Sequence, residues 1–412
     1  MSTIYPDYRG EGADGDIAMD DYKMAVPVNE RAYEDYKAFA TALLTHVNPY
    51  TQMTYAEDPM LAWLSLVNEN CPGNFIRQLK GPLRDDWQQA WNQWLTKRYP
   101  NRAALVAALG DLPADQDPIA GTVPLQDVYG SSPSSVTFNV FLAETELDFF
   151  ERTKAFLRDE IGCEALLTDL NAWTNPVQLQ AVRNSFDYVD DHFYVDHPEF
   201  LERPWSLPSK CPNTNPLSSG ATGGRNCAFT RLYDKPFTIT EYNYSSPGRF
   251  RGVGGILTGT LGAIQDWDGI WRFSYAHSRE SVKAPGRLNY FDVASDPLNL
   301  AAERASLCLF LRGDLQAAAH GVAIKATRGQ LLDAPSSSRD KTPPWNAMAW
   351  VSRVGWTVAT ENTKPAADRV VLLYDGNIDP FASDTGDKIL TGFQKRQWLA
   401  DKHQTDFSLN RF

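Results

Sequence analysis

The sequence predicts an α/β protein built on parallel strands, and three observations predict it. Short apolar runs alternate along the chain with longer segments whose apolar residues recur every three to four positions, the order of successive βαβ units. Two of the apolar runs close on a glutamate, Glu69 and Glu241. A chain of 412 residues, 43% of them hydrophobic, also has material for one large core and an appendage.

The elements follow in order. Ser2-Thr3-Ile4-Tyr5 reads as the end of a strand, and residues 30–47 place Tyr33, Tyr36, Ala40, Leu43, Leu44 and Val47 on one helical face. A turn-rich stretch from Asn48 to Pro59 leads into the run Met60 to Val67, apolar except for Ser65, as a parallel strand covered on both faces requires. Residues 83–110 predict a Trp-rich helix, 111–134 a loop of Pro, Gly, Ser and Asp, and 140–160 an amphipathic helix around Phe141, Leu142, Leu147, Phe150 and Leu157. A strand over Glu164 to Asn171, a helix near 176–184 and a strand over Phe186 to Tyr194 come next. The loop 195–234 holds much of the Pro, Gly, Ser and Asn. After it come the strand Phe237 to Glu241, a Gly-rich helix over 248–265, a strand Gly269 to Tyr275 and a helix Pro297 to Leu311. From residue 315 onward, short runs such as Val370 to Tyr374 predict a small β-rich module, and 388–412 is charged and without pattern.

A formal net charge of −12 leaves no positive field to gather nucleic-acid phosphates or anionic lipid, so nucleic acid is not an expected partner. No stretch approaches the ~18 uninterrupted apolar residues of a membrane helix, and Met1 is not followed by the basic and apolar regions of a signal peptide. The 12 Trp and 17 Tyr suit stacking on the apolar faces of sugars as well as core packing. The five cysteines, Cys71, Cys163, Cys211, Cys227 and Cys308, lack metal-ligand spacing. Cys211 and Cys227 bracket a Gly/Ser/Asn-rich loop, leaving a disulfide and two free thiols as the alternatives.

In parallel α/β proteins the functional groups gather at the carboxyl ends of the strands. A charged Glu closing an apolar strand is costly to bury unless it is paired or used. One such Glu is explained by a strand end capped into solvent; two, on runs several βα units apart, point to a facing pair. Glycoside cleavage uses such a pair. One carboxyl protonates the leaving oxygen while the other attacks the anomeric carbon, the two about 5–5.5 Å apart when configuration is retained. Asn68, beside Glu69, has a side chain able both to donate to and to accept from a sugar hydroxyl.

Asp187, Asp190, Asp191, His192, Asp196 and His197 suggest a metal centre instead. Alternation along a strand scatters those side chains over opposite faces and no second His-rich segment completes a site, so no metal or other cofactor is expected. Gly252, Gly254 and Gly255 look like a phosphate loop only superficially. They lie too far past Glu241 and within a helix, where close packing explains them.

Asn68-Glu69 at the end of one strand and Glu241 three strands later in Thr-Ile-Thr-Glu-Tyr-Asn resemble strands four and seven of the clan A retaining glycoside hydrolases. The segment Leu44 to Thr51, then Tyr55 to Pro59, then Val67 to Asn70, resembles a cellulase-like bacterial branch, as does Gln265 to Gly269 leading into Phe273 to His277. The resemblance covers roughly residues 1–311. It implies a (β/α)8 TIM barrel that hydrolyses β-glycosidic bonds in oligo- or polysaccharides by a two-glutamate double displacement. It further implies Glu69 as general acid/base, Glu241 as nucleophile and Asn68 as the residue holding the sugar 2-hydroxyl. His192 and Tyr194 match the aromatic or His that the sixth strand places near the nucleophile, with the Tyr194 hydroxyl bonding Glu241; a structural histidine is the alternative for His192. Asn171 and Trp173 on the fifth strand and Tyr275 on the last complete the expected substrate-binding residues, Trp173 being either a stacking platform or a packing residue.

In a complete barrel of this clan three strands and their helices precede the Asn-Glu strand, which takes on the order of 100 residues. Only 67 residues precede Asn68. The chain is therefore expected to begin at strand three, lacking strands one and two and the Arg of strand two. The expected organisation is an incomplete catalytic barrel over 1–311 with a helical insertion at about 74–134, then a small β-rich module over 312–412, itself cut. Two open sheet edges would follow and lower the activity of this chain. A non-catalytic carbohydrate-binding remnant is the alternative, and the presence of both Glu69 and Glu241 favours the enzyme. A secreted or periplasmic location is in keeping with a polysaccharide substrate for the full-length protein.

Overall fold

The computed structural model describes residues 19–171, 176–283, 288–334, 346–360 and 369–374. The expected strand at Ser2 to Tyr5, the residue Trp173 and the stretch 388–412 lie outside the described residues. The protein is mixed α/β and divides into two compact units, Met1–Tyr188 with Arg328–Lys341, and Val189–Thr327 with Thr342–Phe412.

The first unit carries α1 (Met19–Ala25), α2 (Glu30–Leu44), β1 (Trp63–Ser65), α3 (Pro72–Phe75), α4 (Gly81–Arg98), α5 (Arg102–Leu109), α6 (Pro133–Ala155), β2 (Leu166–Thr168) and α7 (Pro176–Arg183), with the short helix Arg328–Leu332. The side chain of Asn29 caps α2 by accepting from the Arg31 and Ala32 amides. The single helix expected over 83–110 is two. Pro100 holds Tyr99 in extended backbone at φ −113°, and Asn101 starts α5 by accepting from the Ala104 amide. Trp87 and Trp91 of α4 are wholly buried, and Trp91 packs on Phe138 and Phe141 of α6 with ring centroids 5.1 and 5.3 Å away. β1 and β2 pair in parallel from Trp63↔Leu166 to Ser65↔Thr168. The run Met60 to Val67 thus yields a strand of three residues. Met60 is 86% exposed, so the apolar run is not covered on both faces over its whole length.

The second unit carries β3 (Val189–Val195), β4 (Glu199–Phe200), β5 (Ser209–Lys210), α8 (Thr222–Ala228), β6 (Phe237–Tyr244), α9 (Gly254–Gln265), β7 (Gly269–Arg272), α10 (Arg279–Lys283), α11 (Pro297–Ser306), β8 (Gly321–Thr327), β9 (Arg353–Ala359) and β10 (Arg369–Leu373). Strands β3, β6 and β7 form one parallel sheet in that order, β10, β8 and β9 a second, and β4 and β5 an antiparallel pair. The strands after residue 312 are therefore parallel, and β8 passes directly into the helix Arg328–Leu332.

Glu241 does not end its strand: β6 continues through Tyr242, Asn243 and Tyr244, all buried. The glycines of α9 serve close packing on α11. A side chain at Gly255 would overlap the Ala302 carbonyl, and one at Gly259 would come within 2.6 Å of Ser306 Cα. All five cysteines are free thiols, so Cys211 and Cys227 are unlinked. No helix among the described residues is long and apolar enough to cross a membrane.

Candidate active site

In the first unit, Glu69 lies four residues beyond the end of β1, half-buried, and adopts left-handed backbone at φ 53°. A non-glycine residue there is strained and needs its surroundings to hold it. Its amide donates to Asn171 Oδ1 at 2.8 Å. Asn171 is 1% exposed and its Nδ2 donates to Ser65 Oγ at 3.4 Å. Asn70, also buried, accepts from the Leu170 amide at 3.2 Å and donates through Nδ2 to Glu146 Oε2 of α6 at 3.1 Å. Burial, and then the neighbouring Asp169 carboxylate, push Glu146 well above the usual carboxylate range against the opposing effect of the Asn70 bond. Asp169 in turn accepts from the Leu170 and Val67 amides at 3.1 and 3.4 Å. Asn68 is half-buried next to Glu69.

In the second unit, Asp190, His192 and Tyr194 alternate along β3 and so share one face, which meets β6 at Thr240 and Glu241. The pairing shifts here: Asp191 faces Ile239 while His192 faces Glu241, leaving Thr240 as an extra residue on β6. Such a bulge re-aims side chains, and in this sheet it turns both Thr240 and Glu241 toward β3. Tyr194 Oη donates to Glu241 Oε2 at 2.5 Å, and His192 Nδ1 lies 3.6 Å from the same oxygen. Thr240 Oγ1 donates to Asp190 Oδ2 at 2.6 Å and stands 3.0 Å from His192 Nε2. A hydroxyl has one proton to give; with Asp190 taking it, Nε2 of His192 is the donor in the second bond. His192 is thereby fixed as a ring whose Nδ1 edge faces Glu241.

The six-residue acidic and histidine cluster is divided by this geometry. Asp191 turns to the opposite face and accepts from Thr230 Oγ1 at 2.7 Å, Asp196 accepts from the Thr214 amide, and His197 Nδ1 sits 3.1 Å from the Pro198 carbonyl. Asp187, in the first unit, binds Lys154 and Arg158. Tyr275 lies beyond β7 and is 61% exposed, its carbonyl accepting from the Ala294 amide at 2.9 Å. The sequence names Glu69, Asn171, Glu241, His192 and Tyr194 but misses Asn70, Glu146 and Thr240, and it names Asp190 only within the acidic and histidine cluster. For Asp190 and Thr240 a signal exists in the alternation with His192 along β3; for Asn70 and Glu146, 76 residues apart, none does.

No protein-family model matches this sequence, and no curated protein does. Among solved structures, the chain is similar to the endo-beta-1,4-mannanase from Thermotoga petrophila at 13% identity and a TM-score of 0.38, over 75% of this chain and 60% of that one. It is similar to a beta-galactosidase from the haloarchaeon Halorubrum lacusprofundi at 14% identity and a TM-score of 0.47, over 89% and 54% of the two chains. It is also similar to a beta-galactosidase from Rahnella sp. R3 at 12% identity and a TM-score of 0.42, over 85% and 58%. The matches thus span only a little more than half the length of each of these proteins.

Proposed function

We propose that this protein is a hydrolase of β-glycosidic bonds in oligo- or polysaccharides, acting on a (β/α)8 scaffold with retention of configuration. Glu241 is the nucleophile and Glu69 the general acid/base. The observation that carries the reading is the setting of Glu241: a carboxylate on a bulged strand, accepting a short bond from Tyr194 and faced by His192. The Tyr194 hydroxyl favours the ionised form and fixes one oxygen, which is what a carboxylate attacking an anomeric carbon requires.

In the first step Glu241 attacks the anomeric carbon as the glycosidic C–O bond breaks, and Glu69 delivers its proton to the departing oxygen. In the second step Glu69 takes a proton from water, which displaces Glu241 and restores both groups. Asn68 holds the sugar 2-hydroxyl beside the reacting carbon, and Tyr275 contributes to substrate binding from the loop after β7.

The test is a panel of phenyl β-glycosides of glucose, galactose and mannose, assayed with the parent, Glu69→Ala and Glu241→Ala. The parent hydrolyses at least one with retained configuration. Removing Glu69 lowers turnover of the phenyl glycosides by about 10²–10⁴-fold, and with a dinitrophenyl leaving group, whose departure needs no acid, azide restores turnover as a β-glycosyl azide. Inverted product, or variants as active as the parent, would contradict the assignment.

A further inference from the structure

The ends of β1 and β2 are built alike. Each carries a left-handed residue followed by asparagine: Glu69 at φ 53° before Asn70, and Leu170 at φ 59° before Asn171. Each asparagine reaches across to the other strand end. Asn171 Oδ1 accepts from the Glu69 amide, and Asn70 Oδ1 accepts from the Leu170 amide. The β1–β2 ladder stops at Ser65↔Thr168, so these two side chains continue the cross-linking after the backbone pairing has ended.

We propose that Asn171 is a positioning residue, which with Asn70 holds the backbone of Glu69 in its left-handed turn and so aims the acid/base; the inference rests on the function proposed above. Two non-glycine residues in left-handed backbone cost on the order of 1–3 kcal/mol each and persist only where neighbours over-determine them. The two asparagines supply that determination. Asn171 is buried and its carbonyl oxygen is already engaged by Glu69, which suits a clamp better than a contact to sugar. Asn70 is in turn fixed from behind by Glu146, buried in α6. Burial and the Asp169 carboxylate raise the pKa of Glu146, which favours the neutral acid over a negative charge under the turn that carries Glu69. Neither asparagine touches the reacting atoms through the contacts described; both act through the direction in which Glu69 leaves the backbone.

A misplaced acid fails most where protonation is most needed. With a phenyl leaving group the departing oxygen requires a proton; with a dinitrophenyl leaving group it does not. The experiment therefore measures kcat/KM, which reports the first step, for phenyl and dinitrophenyl β-glycosides of the sugar that the parent hydrolyses fastest. Asn171→Ala is expected to lose up to about 10²-fold on the phenyl substrate and less than about threefold on the dinitrophenyl substrate. Asn171→Asp keeps an acceptor for the Glu69 amide but adds negative charge beside it. It should recover much of the phenyl activity and move the basic limb of the pH–rate profile upward, because a nearby carboxylate raises the pKa of the acid.

Equal losses on both substrates for Asn171→Ala would overturn the inference, since that pattern reports fewer folded molecules. If Asn171→Ala fails to fold, an unmoved basic limb in Asn171→Asp overturns it equally. Glu69→Ala is the control for the underlying reading. If that variant itself shows no dependence on the leaving group, Glu69 is not the acid, and the failure lies in the proposed function instead.

Discussion

At the residue scale, the groups that carry chemistry divide into those that a sequence exposes and those that only packing reveals. Glu69, Glu241 and Tyr194 stand out because each is polar in or beside an apolar run. Asn70 and Glu146 do not, because what buries and pairs them is a partner 76 residues away. Tyr194 offers a direct test. Hydrogen bonds to charged groups contribute about 1.5–3 kcal/mol, so Tyr194→Phe should lower kcat/KM by about 10–100-fold with the fold intact. An unchanged rate would separate that contact from catalysis. Glu146 makes a separate prediction. Its folded pKa lies above the unfolded carboxyl value of about 4.3, so folding takes up a proton. The stability it contributes is full below that pH and is lost as pH rises through the folded value. Urea midpoints of the parent should therefore fall relative to those of Glu146→Gln as pH rises from about 4, and parallel curves would refute the raised pKa.

At the element scale, helices are more legible than strands. The apolar spacing finds α2 and α11 within about five residues of their ends and α6 with a start seven residues late, because an amphipathic face repeats over several turns. Short strands give no such repetition, and the eight-residue run ending at Val67 forms only three residues of β1. The extension of β6 past Glu241 is legible in hindsight from Tyr242 and Tyr244, which continue the strand pattern, but the bulge at Thr240 is a property of pairing with β3 and has no mark in β6 alone. The start of α11 shows how an element end is held. Asp296 is fully buried, accepts from the Leu298 and Asn299 amides at 3.1 and 3.3 Å, and pairs with Arg251. Burial opposes its charge, but Arg251 and Ser246 outweigh burial and hold it below the usual carboxylate range. Asp296→Ala should cost at least about 2 kcal/mol by chemical denaturation, since it removes a cap and leaves Arg251 unpaired. Asp296→Asn, which keeps an acceptor for the helix amides, should cost less; equal losses would show that the cap contributes nothing separable.

At the scale of the whole molecule, the alternation of strand and helix and the parallel pairing within β1–β2 and β3–β6–β7 follow from the order of apolar runs, whereas the residues of β8, β9 and β10 are read only as a small β-rich module. Each unit carries one of the two carboxylates, Glu69 in the first and Glu241 in the second. The most direct signature of the proposed double displacement is its covalent intermediate. A β-glycoside whose 2-hydroxyl is replaced by fluorine and whose leaving group is a dinitrophenolate forms that intermediate faster than water can remove it. Incubation with the intact chain should add one fluoroglycosyl group per molecule, located by peptide mass spectrometry on Glu241 and absent from Glu241→Gln. A label on any other carboxylate, or hydrolysis of the parent glycoside with inverted configuration and no label at all, would contradict the two-glutamate account.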